Sequence, residues 1–234
     1  MIRIAIFVEG KTERKFAKKL IGRRYGHLRI RVTEMIRKGK NAYIANGELR
    51  ESPGLECSFL LVEVPSREKI PSYVRDNAPN MVLKQSFNLL LGLQDLYPEK
   101  RSDKMRTMDL INMSLGKSPV YDKISVILAI METEAWFLCD WRMFERIDAR
   151  LTADYIRSHL AIDIANNDPE EAYGHPSKTV DDILKLVQLR YRKRSSEIDR
   201  IVGNIDIEYL CSCTSKINSF FKFVTKLDSC VQAS

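Results

Sequence analysis

The chain has 234 residues, of which 44% are hydrophobic and 29% charged, the balance of an ordinary globular protein rather than a disordered or collagen-like one. Its length allows one large domain, or one domain with a smaller helical cap. No stretch approaches the roughly 18 to 20 uninterrupted apolar residues of a membrane helix, and five scattered cysteines without CxxC spacing exclude a disulfide framework and a zinc ribbon. The first apolar run is interrupted by Arg3 and has no signal-peptide architecture, so a cytoplasmic protein with reduced thiols and no membrane partner is expected.

The formal net charge of +7 is unevenly placed. Residues 1–40 hold thirteen Lys/Arg against three Glu, a net of +10, whereas residues 41–140 hold eleven against fourteen and the remainder balances. Such a local basic excess points to phosphate-backbone attraction if a reactive site lies beside it.

In chain order, Ile2 to Val8 is a run of β-branched and apolar residues, the pattern of a strand buried on both faces. It stops at Glu9-Gly10, after which Phe16, Ala17, Leu20 and Ile21 recur at helical spacing. Glu9 is thereby placed at the C-terminal lip of a strand, where open α/β sheets bind ligands. Glu13 falls in the first helical turn, either as a second site carboxylate or as an acid favoured by the helix dipole. Lys11, Arg14, Lys15 and Lys18 lie on the polar face of the same helix and are the candidate nucleic-acid contacts.

Leu28 to Thr33 alternates as a half-exposed strand, and residues 37–54 are rich in Gly, Asn and Pro and read as a loop containing Lys38 and Lys40. Cys57–Val64 is a second apolar strand, followed by a helical segment over Arg67–Gln85. Phe87–Leu93 is another buried strand and ends in Gln94-Asp95. A helix over 102–115 leads to a strand at Ile124–Ile130, ended by Met131-Glu132-Thr133-Glu134, where a further helix begins. Alternating strands and helices predict an α/β fold with a mostly parallel sheet. From Asp140 onward the strand signal disappears, and helices are expected at Arg142–Ile147, Thr152–Leu160, Lys178–Tyr191 and Lys216–Leu227. The expected division is an α/β core over 1–140 and a helical C-terminal third over 141–234.

Carboxylates at several strand ends cannot all stay ionised together without a cation. Mg²⁺ or Mn²⁺, which take oxygen ligands, are the natural partners of Glu9, Glu13, Asp95, Glu132 and Glu134. Glu132 and Glu134 share a face only while the chain is extended, so once helical only one of them can face the site. Ser177-Lys178 follows a His-Pro turn and opens a helix. Either its backbone N–H groups and Lys178 form an anion site, or Ser177 is a plain cap. His175 is the one histidine close to a candidate site.

Four motifs carry a family resemblance: Val8-Glu9-Gly10-Lys11-Thr12-Glu13, Leu93-Gln94-Asp95-Leu96-Tyr97-Pro98, Met131-Glu132-Thr133-Glu134-Ala135-Trp136, and His175-Pro176-Ser177-Lys178. In this order they resemble TOPRIM domains, and in particular small TOPRIM proteins related to the catalytic half of OLD nucleases. The resemblance implies a TOPRIM-like, Rossmann-like sheet and Mg²⁺-dependent cleavage of DNA or RNA. It further implies a role in anti-phage defence and an ABC-type or AAA-type ATPase partner, with oligomerisation left open. Glu9 would act as general base or ligand and Lys178 as a phosphate-facing cation. TOPRIM domains carry an Asp-x-Asp pair, but Asp95 is followed by Leu96 and Tyr97. Metal binding then falls to Glu13, Glu132 or Glu134, or the domain is a catalytically degenerate binding subunit.

Overall fold

The computed structural model describes residues 1–38, 42–46, 54–213 and 215–233. The fold is α/β, with a six-stranded, mostly parallel sheet flanked by helices and a helical C-terminal region. The strands are β1 (Ile2–Val8), β2 (Ile30–Lys38), β3 (Ala42–Asn46), β4 (Cys57–Glu63), β5 (Leu89–Asp95) and β6 (Ile124–Ala129), in the spatial order β3-β2-β4-β1-β5-β6. β1 runs parallel to both β4 and β5, β2 runs parallel to β4, and β3 is antiparallel to β2.

Burial follows from these positions. All seven residues of β5 are buried, as the unbroken apolar run predicts for a strand covered on both faces. β4 alternates buried and half-buried residues. The loop expected over 37–54 is corrected in part: strand pairing extends through Lys38 and resumes at Ala42–Asn46, with Glu34 opposite Asn46. Lys40 lies outside the described residues. The Gly and Asn residues there had masked a short edge hairpin.

The chain forms two compact units. One comprises Met1–Gln94, Met105–Leu128 and Lys222–Ser234; the other comprises Asp95–Lys104 and Ala129–Phe221. This division differs from the expected boundary at residue 140, because the chain passes into the second unit at the last residues of β5 and β6.

In the first unit, α1 (Lys11–Arg24) packs on β4 and α2 (Ile70–Leu83) on β1. Phe16, Ala17, Leu20 and Ile21 are fully buried, as their spacing predicts. Gly92 in β5 permits the close approach of α2: a Cβ there would lie 2.6 Å from Ile70 Cγ2 and 2.8 Å from Val126 Cγ2. Gly92→Ala is therefore expected to destabilise the protein by about 1–3 kcal/mol through overpacking, measurable by urea unfolding. The C-terminal helix, α11 (Asn218–Gln232), contributes Asp228, which accepts from Arg24 Nε at 2.7 Å and from the Tyr25 hydroxyl at 2.8 Å.

The second unit is built around α4 (Glu134–Cys139), whose six residues are all buried. Against it pack α7 (Pro169–Ala172), α8 (Pro176–Lys185) and α10 (Ile207–Ser212), while α5 (Arg142–Ile147) packs on α9 (Ser195–Asn204). The Trp136 indole N–H donates to Ser219 Oγ at 2.8 Å, and the Ser219 hydroxyl and N–H in turn donate to the buried Glu170. Burial pushes Glu170 above the usual carboxylate range, against the Ser219 hydrogen bonds. Asp140 follows α4 and accepts from Arg146 and from the Asp206 N–H at 2.7 Å. α6 (Ala153–Leu160) is capped by the Thr152 hydroxyl, as its sequence pattern predicts. The helix expected over Lys178–Tyr191 instead begins at Pro176 and ends at Lys185, and α9 and α10 were not expected. Both are short, although the Asp206 cap on Tyr209 N is a legible start signal.

Candidate metal centre

Asp95 is the last residue of β5, and Thr133 holds its carboxylate. Its Oδ1 accepts from the Thr133 N–H at 3.0 Å and from the Thr133 hydroxyl at 2.8 Å. Thr133 stands just before α4 but does not cap it, since its hydroxyl is directed to Asp95. Glu134 opens α4 and is fully buried. Its Oε1 accepts from the Tyr191 hydroxyl at 2.8 Å and from Lys193 Nζ at 2.9 Å. Its Oε2 is buried and has no hydrogen-bond partner among the described residues. A buried carboxylate oxygen left in this state is costly, about 1–3 kcal/mol or more for a charged group, unless a cation completes it.

Carboxylate oxygens of Asp95 and Glu134 lie within 4.8 Å of each other. Oxygen ligands at about 2.0–2.6 Å from a divalent ion are separated by at most roughly 5 Å, so these two can share one ion. Both belong to the motifs expected to bind metal. The sheet register accounts for part of the arrangement: Val8 is paired with Leu93 and with Glu63, so β1, β4 and β5 all leave the sheet at one edge.

Glu132 is placed differently. Both of its oxygens are turned to the start of α8, accepting from the Ser177 N–H at 2.8 Å, the Ser177 hydroxyl at 2.8 Å and His175 Nδ1 at 2.9 Å. Lys193 Nζ lies 3.6 Å away. Burial opposes its ionisation, but Ser177, Lys193 and His175 outweigh it and hold Glu132 below the usual carboxylate range. Glu132, expected as a metal ligand, and Ser177, expected as a phosphate contact, are thus hydrogen-bonded to each other. The anion at this helix N-terminus is a side chain of the protein itself. Lys178 is exposed on the first turn of α8.

Between β6 and α4, Met131 lies in the left-handed region at φ 63°, and beyond it Glu132 meets the start of α8 while Glu134 meets Tyr191 and Lys193. Lys193 is likewise left-handed, at φ 56°. Side chains in this region cost about 1–3 kcal/mol, and such strain gathers at functional sites. Lys193 and Tyr191 were missed by sequence reasoning. Their only signal is the basic run Arg190-Tyr191-Arg192-Lys193-Arg194, and nothing local ties it to Glu134, more than fifty residues earlier.

In the first unit, Glu13 is buried on α1 while Glu9 is exposed after β1. Gly10 matters here through space rather than torsion, since a Cβ would come 3.2 Å from Glu13 Oε2. Lys11 and Lys18 are exposed and Lys15 half-buried, whereas Arg14 is only 7% exposed. Arg14, expected as a nucleic-acid contact, donates to Glu34 and, at 2.7 Å, to Glu63, and its guanidinium bridges these two buried acids. Lys18 Nζ also reaches Glu34, at 2.6 Å. Burial opposes the charge on Glu34, yet Lys18 and Arg14 hold it below the usual carboxylate range.

Residues 8–228 match the model of a family described as a domain of unknown function, DUF4276. The chain belongs to that family. No curated protein matches it, and no solved structure does. In this DUF4276 chain the matched span contains every candidate site residue, from Glu9 to Lys193. Among the described residues no helix is long and apolar enough to cross a membrane.

Proposed function

We propose that this protein is a metal-dependent nuclease that hydrolyses a phosphodiester bond of DNA or RNA. The observation that carries the reading is the fully buried Glu134, with one oxygen unpartnered and within reach of the Asp95 carboxylate. Asp95 and Glu134 would hold Mg²⁺ or Mn²⁺. An all-oxygen set of this charge suits a hard divalent ion. Such an ion, when bound, activates water and neutralises charge on the phosphate.

The chain's own residues have distinct tasks in this reading. Thr133 fixes the direction of the Asp95 carboxylate through two hydrogen bonds. Tyr191 and Lys193 hold Glu134 Oε1, which leaves Oε2 as the ligand oxygen. Lys193, 40% exposed at its side chain, takes the role expected of Lys178, presenting an ammonium to phosphate oxygens. In the first unit, the exposed Lys11 and the half-buried Lys15 would contact the nucleic-acid backbone. Action in anti-phage defence beside an ATPase partner is supported by the TOPRIM resemblance alone.

The test is incubation of purified protein with plasmid, single-stranded DNA and tRNA in Mg²⁺, Mn²⁺ or EDTA. Cleavage of at least one substrate with metal and none with EDTA is expected. Absence of cleavage, together with no metal-induced rise in melting temperature, would overturn the proposal. A rise in melting temperature without cleavage would identify a degenerate binding subunit instead.

A further inference from the structure

Tyr97 and His175 form a stacked pair, with ring centroids 4.4 Å apart and an interplanar angle of 18°. Both are partly open to solvent: Tyr97 is 37% exposed and the His175 side chain 40%. Neither ring is loosely held. The Tyr97 N–H donates to the Met131 carbonyl at 2.6 Å, and His175 Nδ1 is tied to Glu132 at 2.9 Å. The His175 ring is thus oriented by Glu132, and the Tyr97 ring, on an anchored backbone, is stacked against it, which lowers the ordering cost of binding.

Glu132 also connects the pair to a cation. Lys193 Nζ lies 3.6 Å from the other Glu132 oxygen, so the aromatic pair and the basic run meet at one carboxylate. The run itself is rigidly placed, because Glu197 accepts from the Arg192 N–H at 2.6 Å and from the Arg194 N–H at 3.1 Å. The side chains of Arg192 and Arg194 are exposed. Fixed aromatic faces beside a row of exposed cations match the chemistry of an unpaired polynucleotide, whose bases have open π-faces and whose backbone is anionic. A base within a duplex has both faces already stacked, and presenting one requires unstacking.

We propose that Tyr97 and His175 stack an unpaired nucleobase, with Arg192, Lys193 and Arg194 carrying the adjoining phosphates, so that the substrate enters as a single strand. The inference rests on the nucleic-acid reading of the site and specifies its substrate class.

The test is fluorescence anisotropy with short labelled DNA and RNA single strands and with a duplex of equal length, in EDTA so that no cleavage occurs. Tyr97→Ala is expected to weaken single-strand binding about tenfold, the loss of one base–aromatic stack, and to leave duplex binding unchanged. Tyr97→Trp should retain single-strand affinity, and its added indole emission should be quenched by the single strand. Arg192→Glu with Arg194→Glu should weaken binding further and flatten its salt dependence. Single-strand affinity unchanged in a folded Tyr97→Ala, or no quenching in Tyr97→Trp, would overturn the platform while leaving the nuclease reading to its own metal-dependent assay. Equal loss of duplex and single-strand affinity in Tyr97→Ala would overturn it as well. Failure of the parent protein to bind either form would remove the platform and the nucleic-acid reading together.

Discussion

Glu134→Gln is expected to reduce metal-dependent cleavage by on the order of a thousandfold or more and to abolish the rise in melting temperature produced by Mg²⁺ or Mn²⁺. The substitution keeps the size of the side chain and an oxygen for the Tyr191 hydroxyl, which donates to Glu134 at 2.8 Å. It removes the charge that would hold a cation at the unpartnered Oε2. Lys193 loses its carboxylate partner there, but at 40% side-chain exposure it can regain hydration. Fold stability without metal should therefore change little.

Glu132→Gln provides the contrast. That carboxylate receives the Ser177 N–H and hydroxyl and His175, so weakening these bonds should loosen the start of α8. Hydrogen bonds to a charged acceptor contribute about 1.5–3 kcal/mol, and a loss of that order is expected in denaturant unfolding. The metal-induced rise in melting temperature should persist in Glu132→Gln. If the two variants exchange behaviours, the assignment of Glu134 to metal and Glu132 to structure is wrong.

Arg14→Ala should be the most damaging change in the first unit, costing about 3–5 kcal/mol at neutral pH. The guanidinium lies between Glu34 and Glu63, all three groups being buried, and its removal leaves two carboxylates facing each other with Lys18 as remaining cation. Lys18 is 51% exposed at its side chain, so Lys18→Ala should cost much less, within about 1 kcal/mol.

The pH dependence has a definite sign. Glu34 is held below its ordinary value of 4.5, so its ionised form contributes stability that is fully present above that pH. The contribution is lost as pH falls through the depressed folded value. Without Arg14, one of the two cations opposing burial is gone and Glu34 takes up a proton more readily, relieving part of the penalty as pH falls. The stability gap between parent and Arg14→Ala should therefore narrow from pH 7 toward about pH 4 in urea unfolding curves. A gap that widens on acidification would show that the cluster is not held by charge.

Several parts of this protein can be read from sequence because they depend on local chemistry. The unbroken apolar runs of β1 and β5 specify strands covered on both faces, and a carboxylate following such a run must stand at the strand end, as Asp95 does. The bounds of α5, Arg142–Ile147, also follow from its periodicity. Other parts depend on groups that are distant in the chain. Arg14 has the same sequence context as its exposed basic neighbours and is buried because β2 and β4 bring Glu34 and Glu63 to it. Sequence spacing shows that Glu132 and Glu134 cannot both face one site but not which of them does. The Ser177 hydroxyl and N–H, which hold Glu132, and the Tyr191 and Lys193 contacts, which hold one oxygen of Glu134, make that choice. Local sequence thus determines which acids reach the strand ends, and long-range hydrogen bonding decides which of them stays available to a cation.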